Sequence, residues 1–257
     1  MRTLSLSALL LLGLALPAHA FPTAVVNVPT AGVTPFKSYH LGTYHYLKPS
    51  MLSTPNSPYL FEGSLVGGVL PYYELAPGVE SGALEVGVDL LYPFPGSPDP
   101  ANVPMPVQPH FKLGVLRETE TLPGLALGAY SVSLPNLEYS HNVLHFTATK
   151  WLSWDDLDLG QFTLGLYHAN PAAAGSDYNG WMAGYFRNLP FNLYVMGDYT
   201  SGSTHIAGNR PLGGANAALG YSINDRISLT GGYYVSGSGR AEDRAFLFID
   251  WVGDLPL

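Results

Sequence analysis

The feature that most constrains the fold is a repeated alternation of apolar residues with polar or small ones. From Leu84 to Tyr92 every second residue is apolar, and Glu85, Gly87 and Asp89 stand between them. A period of two places the two sets on opposite faces of a strand. A helix would instead bring Glu85 and Asp89 into line with the apolar residues. The pattern therefore predicts a strand with one apolar face.

Twelve segments of this kind follow one another along the chain. Beyond position 20 no apolar run reaches the roughly 18 residues that a membrane-spanning helix needs, which excludes a helical membrane protein. The alternation is weak in the first, fifth, eighth and twelfth segments, so the sequence does not determine which of their faces is turned inward. The segments lie at approximately 36–47, 60–73, 80–93, 107–118, 123–134, 141–152, 159–169, 178–187, 190–200, 211–222, 226–238 and 243–253.

The connections between these segments alternate in length. Those after odd-numbered segments are long, as at 94–106 and 201–210, whereas those after even-numbered segments are mostly short, as at 188–189 and 224–225. An even strand count with long loops on one side is typical of strands that cross a membrane. A soluble sandwich gives no reason for such a regular alternation.

Two closed barrels are compatible with this pattern, and composition favours one of them. Charged residues make up only 12% of the chain, whereas a water-exposed surface carries roughly 25–35%. A strand protein can cross a bilayer only as a closed ring, because every backbone N–H and C=O must be paired. We predict an all-β, transmembrane, up-and-down antiparallel β-barrel of about 12 strands. The alternative is a soluble, secreted, lipid-binding barrel of the calycin kind, with its apolar faces turned inward.

The start of the chain, at 1–20, resembles a secretory signal peptide. Arg2 supplies a positive start, Leu4 to Leu16 an apolar stretch, and Ala18-His19-Ala20 a cleavage site. The sequence thus predicts a signal peptide at 1–20, a periplasmic segment at 21–35 and a barrel at 36–257. The chain has no Cys, so it has neither disulfides nor thiolate metal sites. The predicted location is the cell outer membrane.

Two short motifs resemble those of a known group. The run Asn27-Val28-Pro29-Thr30-Ala31-Gly32-Val33 is similar to the Pro-Thr-Ala segment that precedes the first strand in a loose group of bacterial outer-membrane barrel proteins. The run Gly82 to Asp89 resembles an L-E-x-G strand of the same group. The final strand of that group ends on an aromatic residue, whereas this chain ends Asp254-Leu255-Pro256-Leu257. The resemblance implies an outer-membrane location and no particular activity.

Motifs for chemistry are scarce. The formal net charge is −8, without a basic stripe, so no nucleic-acid partner is expected. His141 and His145 lie four positions apart on one strand, roughly 13 Å, too far to share a metal. We expect no cofactor, no metal and no enzymatic activity. A third alternative is an outer-membrane lipid hydrolase, for which Ser140-His141-Asn142 and His168 supply residue types without a convincing arrangement.

In a membrane barrel the polar faces of the strands point inward, so the residues on those faces are predicted to line the lumen. Carboxylates there would favour cations, unless Lys112, Arg226 and Arg244 pair with them and block a narrow ring. The predicted function is a narrow pore for small polar or cationic solutes, or a structural envelope protein; its expected partners are outer-membrane lipid and such solutes. The predicted pore-lining residues are Glu62, Glu85, Asp89, His110, Lys112, Glu118, His145, Tyr167, Tyr194, Asp198, Arg226 and Asp250.

Aromatic residues near strand ends suit the two membrane interfaces, where Trp and Tyr form girdles. The chain has 17 Tyr and four Trp. The predicted interfacial aromatics are Tyr39, Tyr92, Trp151, Trp181, Tyr221, Tyr233 and Trp251.

Overall fold

The structure is a computed structural model that describes residues 23–47, 60–93, 107–132, 142–155, 157–170, 178–202, 212–237 and 243–255. The expected signal peptide at 1–20 lies outside the described residues. The described residues contain no helix long and apolar enough to cross a membrane.

Fourteen strands make up the described structure, and all are antiparallel to their sheet neighbours. They are β1 (Ser38–Leu47), β2 (Leu60–Leu70), β3 (Tyr73–Ala76), β4 (Val79–Ser81), β5 (Ala83–Pro93), β6 (Val107–Leu116), β7 (Gly124–Tyr130), β8 (Val143–Trp154), β9 (Leu157–His168), β10 (Asn179–Asn188), β11 (Leu193–Thr200), β12 (Gly214–Ser222), β13 (Ile227–Ser236) and β14 (Arg244–Asp254).

Twelve of these strands close into one barrel, which confirms the predicted fold class. The ring order is β1-β14-β13-β12-β11-β10-β9-β8-β7-β6-β5-β2, and β2 returns to β1. The first and last strands close the ring over their whole length, from Ser38 opposite Asp254 to Leu47 opposite Ala245. Closure leaves no strand edge without hydrogen-bonding partners. The remaining pair, β3 and β4, forms a small hairpin within the β2–β5 connection.

The two ends of the barrel differ in their connections. At one end, here the loop end, the connections are mostly long and lie at 48–59, 94–106, 131–142, 169–178, 201–213 and 237–243. At the other, here the turn end, they are mostly short and lie at 117–123, 155–156, 189–192 and 223–226. The β2–β5 connection, which carries the β3–β4 hairpin, is also at the turn end, as are the start of β1 and the finish of β14. The alternation of long and short connections predicted from the sequence is therefore present.

The strands present apolar side chains outward and polar ones inward. Leu65, Leu144 and Leu164 are about half exposed or more, at 49%, 51% and 65%, whereas Glu62 and Asp89 are fully buried at 0%. The sequence leaves facing undetermined in four segments, and the structure explains why for two of them, β10 and β14. In β10 and β14 large apolar residues such as Met182 and Phe248 also lie on the inner face. Both faces are then apolar, and alternation disappears from the sequence.

Candidate functional site

The site is the barrel interior, and its central feature is the segment before β1. The amide of Thr30 donates to the carbonyl of Thr23 (3.0 Å), and that of Val25 donates to Val28 (2.9 Å). Ala24 and Pro29 form an antiparallel bridge. These contacts fold the segment back on itself around residues 26–27. We refer to residues 23–34 as the luminal hairpin.

Hydrogen bonds fix the luminal hairpin to strands on several sides of the ring. The amide of Ala31 donates to Thr149 Oγ1 on β8 (2.8 Å). The amide and hydroxyl of Thr34 donate to Glu85 Oε2 on β5 (2.7 and 3.0 Å). All these partners belong to inner faces. A segment that reaches inward-facing groups on separate strands lies inside the ring.

The luminal hairpin falls within the range predicted as an N-terminal periplasmic segment, 21–35. Residues 23–35, the described part of that range, lie against the inner wall of the barrel. The physical reason is backbone hydrogen bonding. Inside a narrow ring, N–H groups of the segment need partners, and the inward carboxylates and hydroxyls of the strands supply them.

Asp198 on β11 holds the tip of the hairpin. Its Oδ2 accepts hydrogen bonds from the amides of Asn27 (2.5 Å) and Val28 (3.0 Å). Its Oδ1 accepts one from Asn216 Nδ2 on β12 (2.5 Å). Carboxylates that accept from backbone N–H groups form hydrogen bonds about twice as strong as neutral ones. Asp198 therefore positions the tip within the ring.

An apolar cluster closes over the tip at the loop end. Val28 is fully buried there, in contact with residues from the loop-end portions of four strands and the adjoining chain. Deeper in the ring, Val25 packs against Gly184 on β10. A Cβ atom added at Gly184 would lie 2.8 Å from Val25 Cγ2, which is too close for an ordinary contact. The other members of this cluster are Tyr130, Val143, Tyr167, Ala169, Met182 and Leu212.

A buried ion pair lies beside the base of the hairpin. Glu85 and Lys112 are directly opposite on β5 and β6, with Nζ 3.2 Å from Oε1. Lys112 also donates to the carbonyl of Thr23 (2.7 Å). Next to this pair, Asp89 accepts from Ser64 (2.6 Å) and lies 3.3 Å from His110 Nδ1. The hairpin and the Glu85–Lys112 pair thus form one connected network.

A cavity of about 210 Å³ remains between the hairpin and the opposite wall. His40, Tyr44 and Glu62 line it from β1 and β2, and Asp250 and Phe248 line it from β14. His40 Nε2 lies 2.8 Å from Asp250 Oδ1. The lining reaches the turn end at residues 224–228. The hairpin therefore narrows the lumen without filling it.

Outside the barrel strands, the turn end carries a small charged cap. Arg117 pairs with Glu80 (2.5 Å), and its guanidinium lies 5.8 Å from the ring centre of Tyr72. Burial raises the pKa of Tyr72, and the nearby positive charge of Arg117 partly offsets this. The phenol stays neutral at physiological pH, since its ordinary pKa is already about 10.

Ten of the twelve predicted pore-lining residues occupy inner-face positions. Glu118 instead lies in the β6–β7 connection, where its Oε1 accepts from the Trp151 amide (2.7 Å). Arg226 lies in the exposed β12–β13 turn, 3.9 Å from Asp254, and contributes to the cavity lining only from there. The inward ten are Glu62, Glu85, Asp89, His110, Lys112, His145, Tyr167, Tyr194, Asp198 and Asp250.

The structure corrects one of the predicted interfacial aromatics. Trp151 lies on the inner face of β8, because it is paired with buried Gln161 and its ring is 6.1 Å from that of Phe186. Its indole N–H donates to Asp158 (2.8 Å), which satisfies the only polar atom of the ring. The side chain of Tyr92 is outside the described residues. Outward positions near strand ends hold Tyr39, Trp181, Tyr221, Tyr233 and Trp251.

The groups considered for catalysis do not assemble into a nucleophilic site in the described part of the chain. Ser140 and His141 lie outside the described residues. His168 faces outward on β9, and its Nδ1 lies 2.8 Å from Asn179 Oδ1, an amide rather than a Ser or Thr hydroxyl. Among the described residues, no three His, Asp or Glu side chains are grouped to hold a metal ion.

Sequence reasoning missed the luminal hairpin altogether. One signal was available: residues 23–34 contain no charged side chain. A solvated segment of this length ordinarily carries charge, because surfaces are rich in Lys, Arg, Glu and Asp. An uncharged stretch next to a barrel is compatible with a place inside it.

Comparisons with solved structures find proteins of the bacterial outer membrane. An outer membrane channel from Pseudomonas putida F1 is similar over 91% of this chain and 99% of its own, with 10% identity and a TM-score of 0.49. Outer membrane phospholipase A from Escherichia coli is similar over 87% of this chain and 99% of its own, with 15% identity and a TM-score of 0.44. No family model and no curated protein sequence matches the chain. Identities this low concern the fold alone.

Proposed function

We propose that this chain is an outer-membrane β-barrel whose lumen is a narrow, cation-preferring passage for small solutes. The observation that carries the proposal is the facing of the strands. Leu164 and Leu166 on the outer face of β9 are 65% and 64% exposed, whereas Thr163 on its inner face is 1% exposed. Large contiguous apolar surfaces are rare on soluble monomers. A ring of them around a barrel is the expected surface for lipid.

The electrostatics of the lumen support a preference for cations. Among the described residues, the carboxylates of Glu62, Glu85, Asp89 and Asp198 are buried and Asp250 lines the cavity, whereas the buried Lys and Arg side chains are Lys112 and Arg244. Charges in a low-dielectric ring act strongly on an ion in its bore. Acidic rings select cations in channels. The predicted charge of the passage is therefore negative.

The luminal hairpin sets the width of this passage. Twelve strands already enclose a bore far smaller than that of the 16–18-stranded porins, and the hairpin occupies part of it. Among the described residues, a cavity of about 210 Å³ beside the hairpin is open space. We therefore propose a low conductance and passage of small solutes only.

A structural envelope barrel is the second candidate. The observation that favours it is the number of strands to which the hairpin is fixed, through Asp198, Thr149, Glu85 and Lys112. A hairpin held this firmly would keep the ring closed and rigid. The soluble lipid-carrying barrel fits less well, because its apolar residues would face inward, whereas Leu65, Leu144 and Leu164 face out.

Fractionation followed by electrical recording tests the proposal. We expect the protein to require detergent for extraction and to show heat-modifiable gel mobility. In planar bilayers, we expect small conductance steps with potassium more permeant than chloride. Extraction without detergent would contradict the membrane location. A membrane-inserted barrel without conductance would favour the structural candidate.

A further inference from the structure

The luminal cavity has an aromatic lining in two groups. Tyr44 and Phe248 meet edge to face on β1 and β14, with ring centres 4.7 Å apart. Phe186 and Tyr194 meet on β10 and β11, with ring centres 5.5 Å apart. All four rings line the one cavity, together with Tyr46.

The same cavity is lined by more carboxylates than basic groups. Among its described lining residues, Glu62, Glu85, Asp225 and Asp250 stand against Lys112 and Arg226. Lys112 is held by Glu85 (3.2 Å), and Arg226 lies at the exposed turn beside Asp254. The described lining thus carries a net negative charge when its histidines are neutral.

Aromatic faces together with negative charge define a particular ligand chemistry. The π face of a Phe or Tyr ring attracts cations, above all quaternary ammonium groups, whose charge is spread over an apolar body. Metal cations of the hard type prefer oxygen ligands instead. From the rings and the charge, we propose that the cavity is a binding site for small organic cations of the ammonium class. This inference rests on the proposed function, since it names the solute class that the lumen accepts.

The cavity lies beside the luminal hairpin and extends to the turn end. The lining includes Ala24, Val25 and Val26 of the luminal hairpin, and Val26 packs against the Tyr46, Phe246 and Phe248 cluster. The cavity reaches the turn end at residues 224–228, whereas the hairpin tip and the Val28 cluster lie toward the loop end. Among the described residues, the turn end therefore offers a cation a route into the site.

Titration calorimetry on the intact, detergent-solubilised barrel tests the site. The probe is tetramethylammonium chloride, with potassium chloride and glucose as separate arms. We expect saturable binding of tetramethylammonium and much weaker binding of potassium and of glucose. Equal binding of glucose would overturn the inference in favour of a neutral, ring-stacking solute. Lack of tetramethylammonium binding would overturn it outright.

Matched variants locate the binding within the cavity. Phe248→Leu removes a lining ring, and we expect it to weaken tetramethylammonium binding about fivefold. Phe246→Leu is the control, because Phe246 stacks on Phe248 (4.6 Å) but is not part of the cavity lining. Asp250→Asn tests whether the negative charge of the cavity lining contributes to binding. If Phe248→Leu loses its heat-modifiable mobility, Tyr44→Leu takes its place. Equal effects of Phe248→Leu and Phe246→Leu would contradict the site.

Calorimetry also separates this inference from the proposed function. Binding is measured without a membrane or a current, so a barrel that conducts no ions can still bind the probe. A barrel that conducts cations and binds no tetramethylammonium would overturn the organic-cation site alone.

Discussion

Asp198 and Asn27 are 171 positions apart in the sequence and are joined by a hydrogen bond of 2.5 Å inside the barrel. The same carboxylate oxygen accepts the amide of Val28. Through this one side chain, β11 holds the turn of a segment that precedes the first strand. Asp198 thus positions the hairpin, and the hairpin narrows the lumen.

Removing this carboxylate should loosen the tip of the hairpin. Asp198→Ala leaves the backbone N–H groups of Asn27 and Val28 without their acceptor. Each buried group left without a partner costs about 1–3 kcal/mol of stability. We expect hydrogen exchange of those two amides to become at least about tenfold faster, since about 1.4 kcal/mol corresponds to that factor. Exchange is measured by mass spectrometry on the folded barrel.

Asp243→Ala is the matched control for that experiment. Asp243 also accepts a backbone amide, that of Ser236 (2.9 Å), but at the exposed loop end of β13. It should leave the exchange of residues 25–30 unchanged. If both variants accelerated that exchange equally, Asp198 would have no special role in holding the hairpin.

The charge of the lumen should be measurable as ion preference. Asp89 lies on the inner face with no exposed surface, and Ser64 donates to it (2.6 Å). Asp89→Asn keeps the shape and removes one negative charge, so we expect the potassium-to-chloride permeability ratio to fall about twofold. Reversal potentials under a salt gradient give this ratio. Glu74→Gln, on the exposed β3 strand outside the ring, removes the same charge and should leave the ratio unchanged.

The buried Glu85–Lys112 pair should respond asymmetrically to substitution. Lys112→Met leaves Glu85 buried without its cation, which costs about 3–5 kcal/mol, whereas Lys112→Met with Glu85→Gln should recover most of that loss. Urea unfolding in micelles measures both. Arg117→Met at the exposed Arg117–Glu80 pair should cost less than about 1 kcal/mol. If the double variant were as unstable as Lys112→Met alone, the hydrogen bonds from Thr34 to Glu85 and from Lys112 to Thr23 would contribute more to stability than the charge pairing.

The facing of two tryptophans provides a direct test of membrane contact. Trp251 faces outward and is 47% exposed, whereas Trp151 faces inward against Phe186. In variants that retain one Trp each, brominated lipid should quench Trp251 strongly and Trp151 weakly. Fluorescence of the reconstituted barrel gives the comparison. Similar quenching of both would contradict the inward position of Trp151.

Much of the fold was readable from sequence because strand facing is a local property. In β5 the alternation from Leu84 to Leu90 alone separates the outer from the inner face, and the inward position of Glu85 and Asp89 follows from it. The prediction for Trp151 was wrong. Its place near a strand end suggested the membrane interface, but Trp151 lies two and four positions from the buried Thr149 and Thr147, so the alternation within β8 already indicated an inward side chain.

By itself the sequence determined the strands, their antiparallel order and the polarity of their faces, since a period of two and short turns act between residues close in the chain. The tertiary structure alone decided what occupies the interior. Which side chains meet across a ring depends on closure and register, and the partners of the luminal hairpin, among them Asp198, Thr149 and Glu85, come from strands distant in sequence. The backbone amides of residues 27–34 carry no sign in the sequence that they will bind those groups.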